Sequence, residues 1–259
     1  LNLIIKKFIN ILSDITEFEF VYRIDFRLRP DPGMTPLAIS TNAAENYYFG
    51  LGQNWERAAL IRSRFICGDK ISYEIFYKIL KKFIWRPTLD FFAIDDIKSI
   101  KNQIDVTQKT NFKSLLGYNI KIGRGGIREI EFYVHILQLI WGGKYTNLQS
   151  SNLIESVNSL YYNDLIDKKI KNILINNYFK LRNLENRIQM LENSQNHLIP
   201  YDREIYKKLI LFFGYLNVNK FENEIIEVFS STRTIFKDLF KDDKPLNIKG
   251  DMVFTGVEP

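Results

Sequence analysis

A glycine-rich turn opens onto an apolar stretch at residues 121–143, which read KIGRGGIREIEFYVHILQLIWGG. After the glycines, apolar residues recur at three- and four-residue spacing, the period of a helix with a buried face. We therefore predict a helix over 127–141. The first N–H groups of a helix lack partners inside it and can bind a phosphate or a carboxylate. This makes Gly125, Gly126 and Arg128 candidate phosphate-binding residues.

A line of polar residues runs along the same predicted helix, through Arg128, Glu131, His135 and Gln138. On a helix that is apolar over most of its circumference, such a line indicates either a cleft or a buried polar network. Both interpretations stay open. We predict Glu129 and Glu131 as members of a supporting network, and His135 as a hydrogen-bonded member rather than a catalyst.

Outward from this helix, the sequence is helical almost throughout, with one β-like segment at 18–28. There, apolar side chains fall at every second position, which predicts a half-buried strand. A shorter extended piece follows at 37–40. The predicted fold class is therefore α+β, predominantly α. Candidate helices lie near residues 2–12, 41–51, 54–67, 71–83, 92–107, 127–141, 149–161, 164–194, 202–213 and 220–240.

The β-like segment is rich in arginine, and residues 22–30 read YRIDFRLRP. Alternation along a strand would place Arg23, Asp25, Arg27 and Arg29 on one face. Guanidinium groups suit phosphate oxygens, and a carboxylate among them can bind a hard cation such as Mg²⁺. The pattern is typical of phosphoryl transfer, but a solvated face of Arg–Asp ion pairs fits the alternation equally well.

Composition indicates a globular protein and excludes one kind of metal site. The 259 residues are 46% hydrophobic and 25% charged, which is ordinary for a globular protein. No apolar run approaches the roughly 18 residues of a membrane-spanning helix, so we expect a cytoplasmic protein. Cys67, His135 and His197 are too few for a structural His/Cys zinc site, which needs about four ligands. We expect Cys67 to be buried and any metal to be held by carboxylates.

Several blocks resemble the bacterial glutamine synthetase adenylyltransferase and adenylyl-removing enzymes. The resemblance lies in Tyr22–Pro30, in PLAIS at 36–40, in WERAALIRSR at 55–64 and in the glycine turn with its helix at 121–132. It implies that 1–68 form the C-terminal part of a polymerase-β-like nucleotidyltransferase domain. A helical bundle would follow at 69–259.

The resemblance also implies roles for individual residues. Asp25 would be the catalytic, metal-binding aspartate for Mg²⁺, with two further aspartates expected upstream of Leu1. The fragment alone is therefore expected to be inactive. Glu56 would join the supporting network, although a charge at a helix N-terminus that the helix dipole favours explains it equally well. Phosphate would be bound by Arg23, Arg27, Arg29, Arg57, Arg62, Arg64, Gly125, Gly126 and Arg128. For Arg57, Arg62 and Arg64, ion pairs at the solvent surface stay open as the alternative.

Two details resemble the deadenylylating half of this bifunctional family, namely WER at 55–57 and GRGG at 123–126. The implied reaction is phosphorolysis of AMP-tyrosine on glutamine synthetase. The implied partners are glutamine synthetase, the PII signalling protein, ATP or ADP, and phosphate.

Two other functions stay open at this point. A PII uridylyltransferase shares the nucleotidyltransferase core, although two histidines argue against the histidine–aspartate hydrolase region expected of that enzyme. A non-enzymatic, basic helical module that binds nucleic acid would fit the net charge of +6. Nucleic acid is the less favoured partner, because the arginines concentrate on one strand and one helix rather than along a continuous surface.

Overall fold

A computed structural model describes residues 1–17, 21–22, 24–86 and 114–239. Helices dominate this part of the chain, and a 3-10 turn at Thr146–Leu148 precedes the sixth of them. In chain order they are α1 (Asn2–Ser13), α2 (Thr41–Gly50), α3 (Asn54–Leu60), α4 (Lys70–Ile84), α5 (Ile127–Trp141), α6 (Leu153–Tyr162), α7 (Lys168–Glu192), α8 (Arg203–Phe212) and α9 (Val218–Asp238).

Side-chain oxygens fix where most of these helices begin. Asp167, for example, accepts a hydrogen bond from the backbone N–H of Ile170 over 2.7 Å. Such a cap satisfies one of the N–H groups that the first turn leaves without a partner. The same kind of cap is formed by Ser40, Asp69, Asn152, Asp202 and Asn217.

The larger hydrophobic core lies between α5, α7 and α9, with α6 and α8 packed around them. The apolar stripe of α5 is fully buried at Ile127, Ile130 and Val134. The helical spacing of Leu181, Leu184, Ile188 and Leu191 predicts a buried row on α7. The first three are each 0% exposed. For Leu191 the prediction is wrong, since this residue is 36% exposed and lies one residue before the end of α7. These three long helices form the frame on which the polar line of α5 is carried.

A smaller hydrophobic cluster joins α2, α3 and α4 to the far end of α5. Its members are Ala44, Tyr48, Ile61, Leu80, Phe83, Ile84 and Leu139. The cluster therefore includes residues on both sides of the predicted division at residue 68. That division, into 1–68 and 69–259, stays a prediction.

The strand predicted over 18–28 is not formed by its described residues, 21–22 and 24–28, and the extended piece at 37–40 is not a strand either. A strand needs a neighbour for its N–H and C=O groups. Here the chain instead turns locally, and the N–H groups of Met34 and Thr35 both donate to the carbonyl of Asp31. The predominantly helical class is confirmed, whereas the polymerase-β-like arrangement stays a prediction.

Most predicted helices are present with shifted ends. The helix expected over 54–67 stops at Leu60, because the chain leaves it through a turn in which the N–H of Ser63 donates to the carbonyl of Leu60. Cys67 then lies exposed, so the prediction that it is buried is wrong. The helix predicted near 92–107 lies outside the described residues. No described helix is both long and apolar enough to cross a membrane.

Candidate active site

Asp25 and Arg27 form an exposed ion pair. The Arg27 Nε lies 3.0 Å from Asp25 Oδ1 and 2.9 Å from Oδ2, and its Nη2 lies 2.5 Å from Oδ2. The side chains are 84% (Arg27) and 50% (Asp25) exposed. The hydrogen bond that Arg27 donates to Asp25, followed by the charge of Asp25, raises the pKa of Arg27. The carboxylate is thus within reach of solvent and of a ligand, and it adds little to stability in this setting.

The other predicted arginines of this segment differ in their surroundings. The Nη2 of Arg29 donates to the carbonyl of Pro32 over 2.5 Å and to that of Thr35 over 3.4 Å, which ties down the turn after Asp25. Arg23 lies outside the described residues.

Arg57 and Glu56 hold helices together. Arg57 is 1% exposed, and its Nη2 donates to the carbonyl of Ile84 over 2.8 Å at the end of α4. Glu56 accepts from the N–H of Gln53 over 2.8 Å and from the Tyr47 hydroxyl over 3.0 Å. The first contact closes the N-terminus of α3, and the second fixes α3 against α2. Because the Arg57 guanidinium is buried, we leave this residue out of the phosphate site proposed below.

The glycine turn before α5 is filled by the protein's own groups. The Gly125 N–H donates to Glu129 Oε2 over 2.9 Å, and the Gly126 N–H donates to the carbonyl of Gly123 over 2.9 Å. The N–H groups expected to receive a phosphate are therefore engaged, with the Glu129 carboxylate in the position of the anion. We accordingly leave Gly125 and Gly126 out of the phosphate site.

The conformation of Gly125 itself requires a glycine. Its φ is +75°, and an added Cβ would lie 2.0 Å from the Phe229 carbonyl oxygen on α9. We expect Gly125→Ala to lower the free energy of unfolding by about 3 kcal/mol or more, since backbone strain and a clash with backbone add.

Two glycines serve as controls in thermal denaturation. Gly214 has a φ of +87° with open space around it, so Gly214→Ala isolates the backbone strain. Gly50 has open space and an ordinary φ, so Gly50→Ala should be neutral. If Gly125→Ala and Gly214→Ala lower the free energy of unfolding equally, the close contact with Phe229 adds nothing to the backbone strain.

A buried ion pair braces the same turn. Arg233 Nη1 on α9 lies 2.6 Å from Glu129 Oε1, and Glu129 is 2% exposed. Glu129 therefore joins the glycine turn to α9. Glu129 is thus a brace between α5 and α9, and its membership of a network that supports the active site stays a prediction.

Six polar side chains form what we call the Glu131 cluster, in which α5 meets the turn after α3. Glu131 Oε1 lies 3.2 Å from Arg62 Nη2 and 2.6 Å from Arg182 Nη2. The Nε of Arg62 donates to His135 Nε2 over 3.3 Å, so His135 is the hydrogen-bonded member that was predicted. The cluster comprises Arg62, Glu131, His135, Arg182, Glu185 and His197.

The α7 side of the cluster is equally connected. Arg182 Nη1 donates to Glu185 Oε2 over 2.6 Å, and His197 Nδ1 lies 2.9 Å from Glu185 Oε1. Burial acts to lower the pKa of Arg182, but the hydrogen bond with Glu185 and the charge of Glu131 raise it overall. Burial and the charge of Lys121 lower the pKa of His197. Arg182 therefore stays charged while the imidazole tends to be neutral.

His135 is expected to make the protein less stable in mild acid. Burial, followed by the charge of Arg62, lowers the pKa of His135 from 6.5 to about 4. The unfolded chain therefore takes up a proton at higher pH than the folded chain does, and stability falls as the pH drops from about 6.5 to about 4. Because the side chain is partly exposed, we expect a loss on the order of 1–2 kcal/mol across this window.

Urea denaturation of wild-type protein and His135→Asn at several pH values measures this contribution. The variant should show a shallower fall in stability between these pH values. If the free energies of unfolding of the two proteins change in parallel with pH, His135 has the same pKa in the folded and unfolded chain.

The described residues do not form a magnesium site by themselves. They contain no group of three or more His, Cys, Asp or Glu side chains placed to hold a metal ion. Asp25 supplies one carboxylate, which Arg27 engages through two nitrogen atoms. One such ligand falls short of the carboxylate sets that usually hold Mg²⁺.

The sequence does not indicate a network role for four residues, namely Arg182, Glu185, His197 and Arg233. Its pattern fits solvated or simply ion-paired side chains at Arg182 and Glu185, whereas Glu185 is 4% exposed and Arg233 pairs with buried Glu129. The i, i+3 spacing of Arg182 and Glu185 signals a pair. Their partners on α5 are distant in sequence, and nothing local identifies them. Among the other predicted residues, Arg64 and Arg128 are exposed.

Two family models match different parts of the chain. Residues 3–78 match the model described as "Glutamate-ammonia ligase adenylyltransferase". Residues 98–240, more than half of the chain, match the model described as "GlnD PII-uridylyltransferase".

Curated relatives align along nearly all of the chain. A protein of Bartonella henselae is 41% identical over 98% of this chain, one of Brucella melitensis is 38% identical over 97%, and one of Caulobacter vibrioides is 39% identical over 96%. Each is named "Bifunctional glutamine synthetase adenylyltransferase/adenylyl-removing enzyme". The chain spans about a quarter of their length, 25–26%. It therefore belongs to the glutamine synthetase adenylyltransferase/adenylyl-removing family, and through residues 98–240 also to the family of the GlnD PII-uridylyltransferase model.

Proposed function

We propose that this chain is part of a nucleotidyltransferase that removes adenylyl groups from glutamine synthetase and, in the full-length protein, also adds them. The observation that carries the proposal is the alignment of 96–98% of the chain with relatives named as this bifunctional enzyme. The WER and GRGG sequences favour the deadenylylating half. A cytoplasmic location and a contact with PII belong to the same proposal.

The proposed reaction is a phosphorolysis. An oxygen of inorganic phosphate attacks the phosphorus of the AMP group on a tyrosine, and the bond from that phosphorus to the tyrosine oxygen breaks. ADP leaves, and the tyrosine oxygen recovers a proton. Catalysis of such a step depends mainly on positioning and on stabilising charge.

Asp25 and the exposed arginines are the residues proposed to act. Asp25 would contribute one ligand to a Mg²⁺ site, and the described residues do not supply the remaining ligands. Arginines bind phosphate oxygens with a rigid, charged fork. Those within reach of solvent are Arg27, Arg29, Arg62, Arg64 and Arg128.

A uridylyltransferase acting on PII is the second candidate, and the match of residues 98–240 is what favours it. That match is compatible with both enzymes, since the same residues also align with the adenylyltransferase relatives. A module that binds nucleic acid is not proposed, because the relatives that align with 96–98% of the chain are named as enzymes.

Two parallel assays of the full-length protein distinguish the candidates. We expect ADP to form from adenylylated glutamine synthetase and phosphate, and no UMP to be transferred from UTP to PII. Transfer of UMP without formation of ADP would establish the second candidate instead.

A further inference from the structure

The guanidinium group of Arg62 is anchored on two sides and open on the third. Its Nε donates to His135 Nε2 over 3.3 Å, and its Nη2 lies 3.2 Å from Glu131 Oε1. Nη2 is buried. Nη1 forms no hydrogen bond with any residue that the structure describes, and the side chain is 34% exposed. The open edge of the group is thus the edge that a ligand can reach.

The surroundings of Arg62 carry a net positive charge. Arg128 is exposed, and it lies one helical turn before Glu131 on the same line of α5. Three guanidinium groups, those of Arg62, Arg128 and Arg182, therefore lie in this region. Two carboxylates, those of Glu131 and Glu185, oppose them, so one positive charge is in excess. A partly exposed site of this charge suits an oxyanion.

We propose that Glu131 and His135 are positioning residues that hold Arg62 so that its exposed edge binds a phosphate oxyanion. The proposal rests on the proposed function, in which inorganic phosphate is a substrate. Glu131 and His135 act through Arg62 and do not touch the ligand. Because the anchored side chain has already lost much of its rotamer freedom, binding a ligand costs less entropy than it would with a mobile arginine.

Steady-state kinetics in the full-length protein test the proposal with inorganic phosphate as the varied substrate. Arg62→Gln and Glu131→Gln should each raise the KM for phosphate about tenfold, the effect of losing a charge-assisted contact, with kcat changed less than about threefold. Glu129→Gln is the matched control on the same helix. It breaks a buried ion pair that does not include Arg62, so it should lower Tm without raising the KM.

A binding measurement separates this proposal from the proposed reaction. Inorganic phosphate should raise the Tm of the wild-type protein at constant ionic strength, and Arg62→Gln should abolish that rise. If the protein forms no ADP and phosphate still raises Tm through Arg62, the oxyanion site stands and the reaction is wrong. The proposal is overturned if Arg62→Gln keeps the wild-type KM. It is also overturned if Glu129→Gln raises the KM for phosphate as Glu131→Gln does, and if the rise in each variant follows its loss of stability.

Discussion

Asp25→Asn is expected to abolish the phosphate-dependent release of ADP from adenylylated glutamine synthetase, with a loss of about a hundredfold or more. The amide keeps the shape of the carboxylate but removes the charge that a magnesium ligand must supply. Asp25 is half exposed, so its replacement should leave the thermal melt unchanged. The measurement is ADP formation by the full-length protein, with the melt recorded on the same samples.

Glu204→Gln is the matched control for this substitution. Glu204 is also an exposed carboxylate in an ion pair with a neighbouring cation, Lys207, and we give it no part in the chemistry. Full activity of Asp25→Asn with an unchanged melt would make Asp25 an ordinary surface residue. A lost fold would show that its role is structural.

Glu129→Ala should cause the largest loss of stability among the charged positions, about 3–5 kcal/mol. It removes the partner of Arg233 and the acceptor of the Gly125 N–H at once. For a chain of this size, the loss corresponds to a fall in Tm of roughly 6–20 °C.

The double variant Glu129→Ala with Arg233→Met measures how much of the loss of stability comes from leaving the charge of Arg233 unpaired. Replacing both charges of a buried pair costs far less than replacing one, because no unpaired charge is left inside. We therefore expect the second substitution to restore part of the lost Tm. A double variant that melts well below Glu129→Ala would contradict the view that an unpaired Arg233 causes the loss.

The helical part of the fold could be predicted from the sequence because it is encoded locally. The apolar period of α5 and the glycine before it give a predicted range, 127–141, that agrees with the observed helix. The buried row of Leu181, Leu184 and Ile188 on α7 was also evident from its spacing.

The β-like segment shows where local patterns are insufficient. Alternation around Asp25 describes a strand only if another strand pairs with it, and sequence spacing contains no information on that partner. The same limit applies to the site. The polar line of α5 predicted a network that includes His135 and Glu131, but Arg62 reaches it from 73 positions away in the chain.

The function of the glycine turn was the least predictable feature. A free helix N-terminus and one closed by an internal carboxylate have similar sequences. Only the placement of Glu129 between Gly125 and Arg233 distinguishes the two.

Radiolabelled phosphate tests the proposed reaction most directly. Full-length protein is mixed with adenylylated glutamine synthetase and ³²P-labelled inorganic phosphate, and the nucleotide product is separated. We predict labelled ADP, with the label in its β-phosphate, in a yield equal to the tyrosines that lose their AMP. Unlabelled AMP as the product, or no release from the synthetase at all, would contradict the assignment of this chain to a deadenylylating enzyme that uses phosphate.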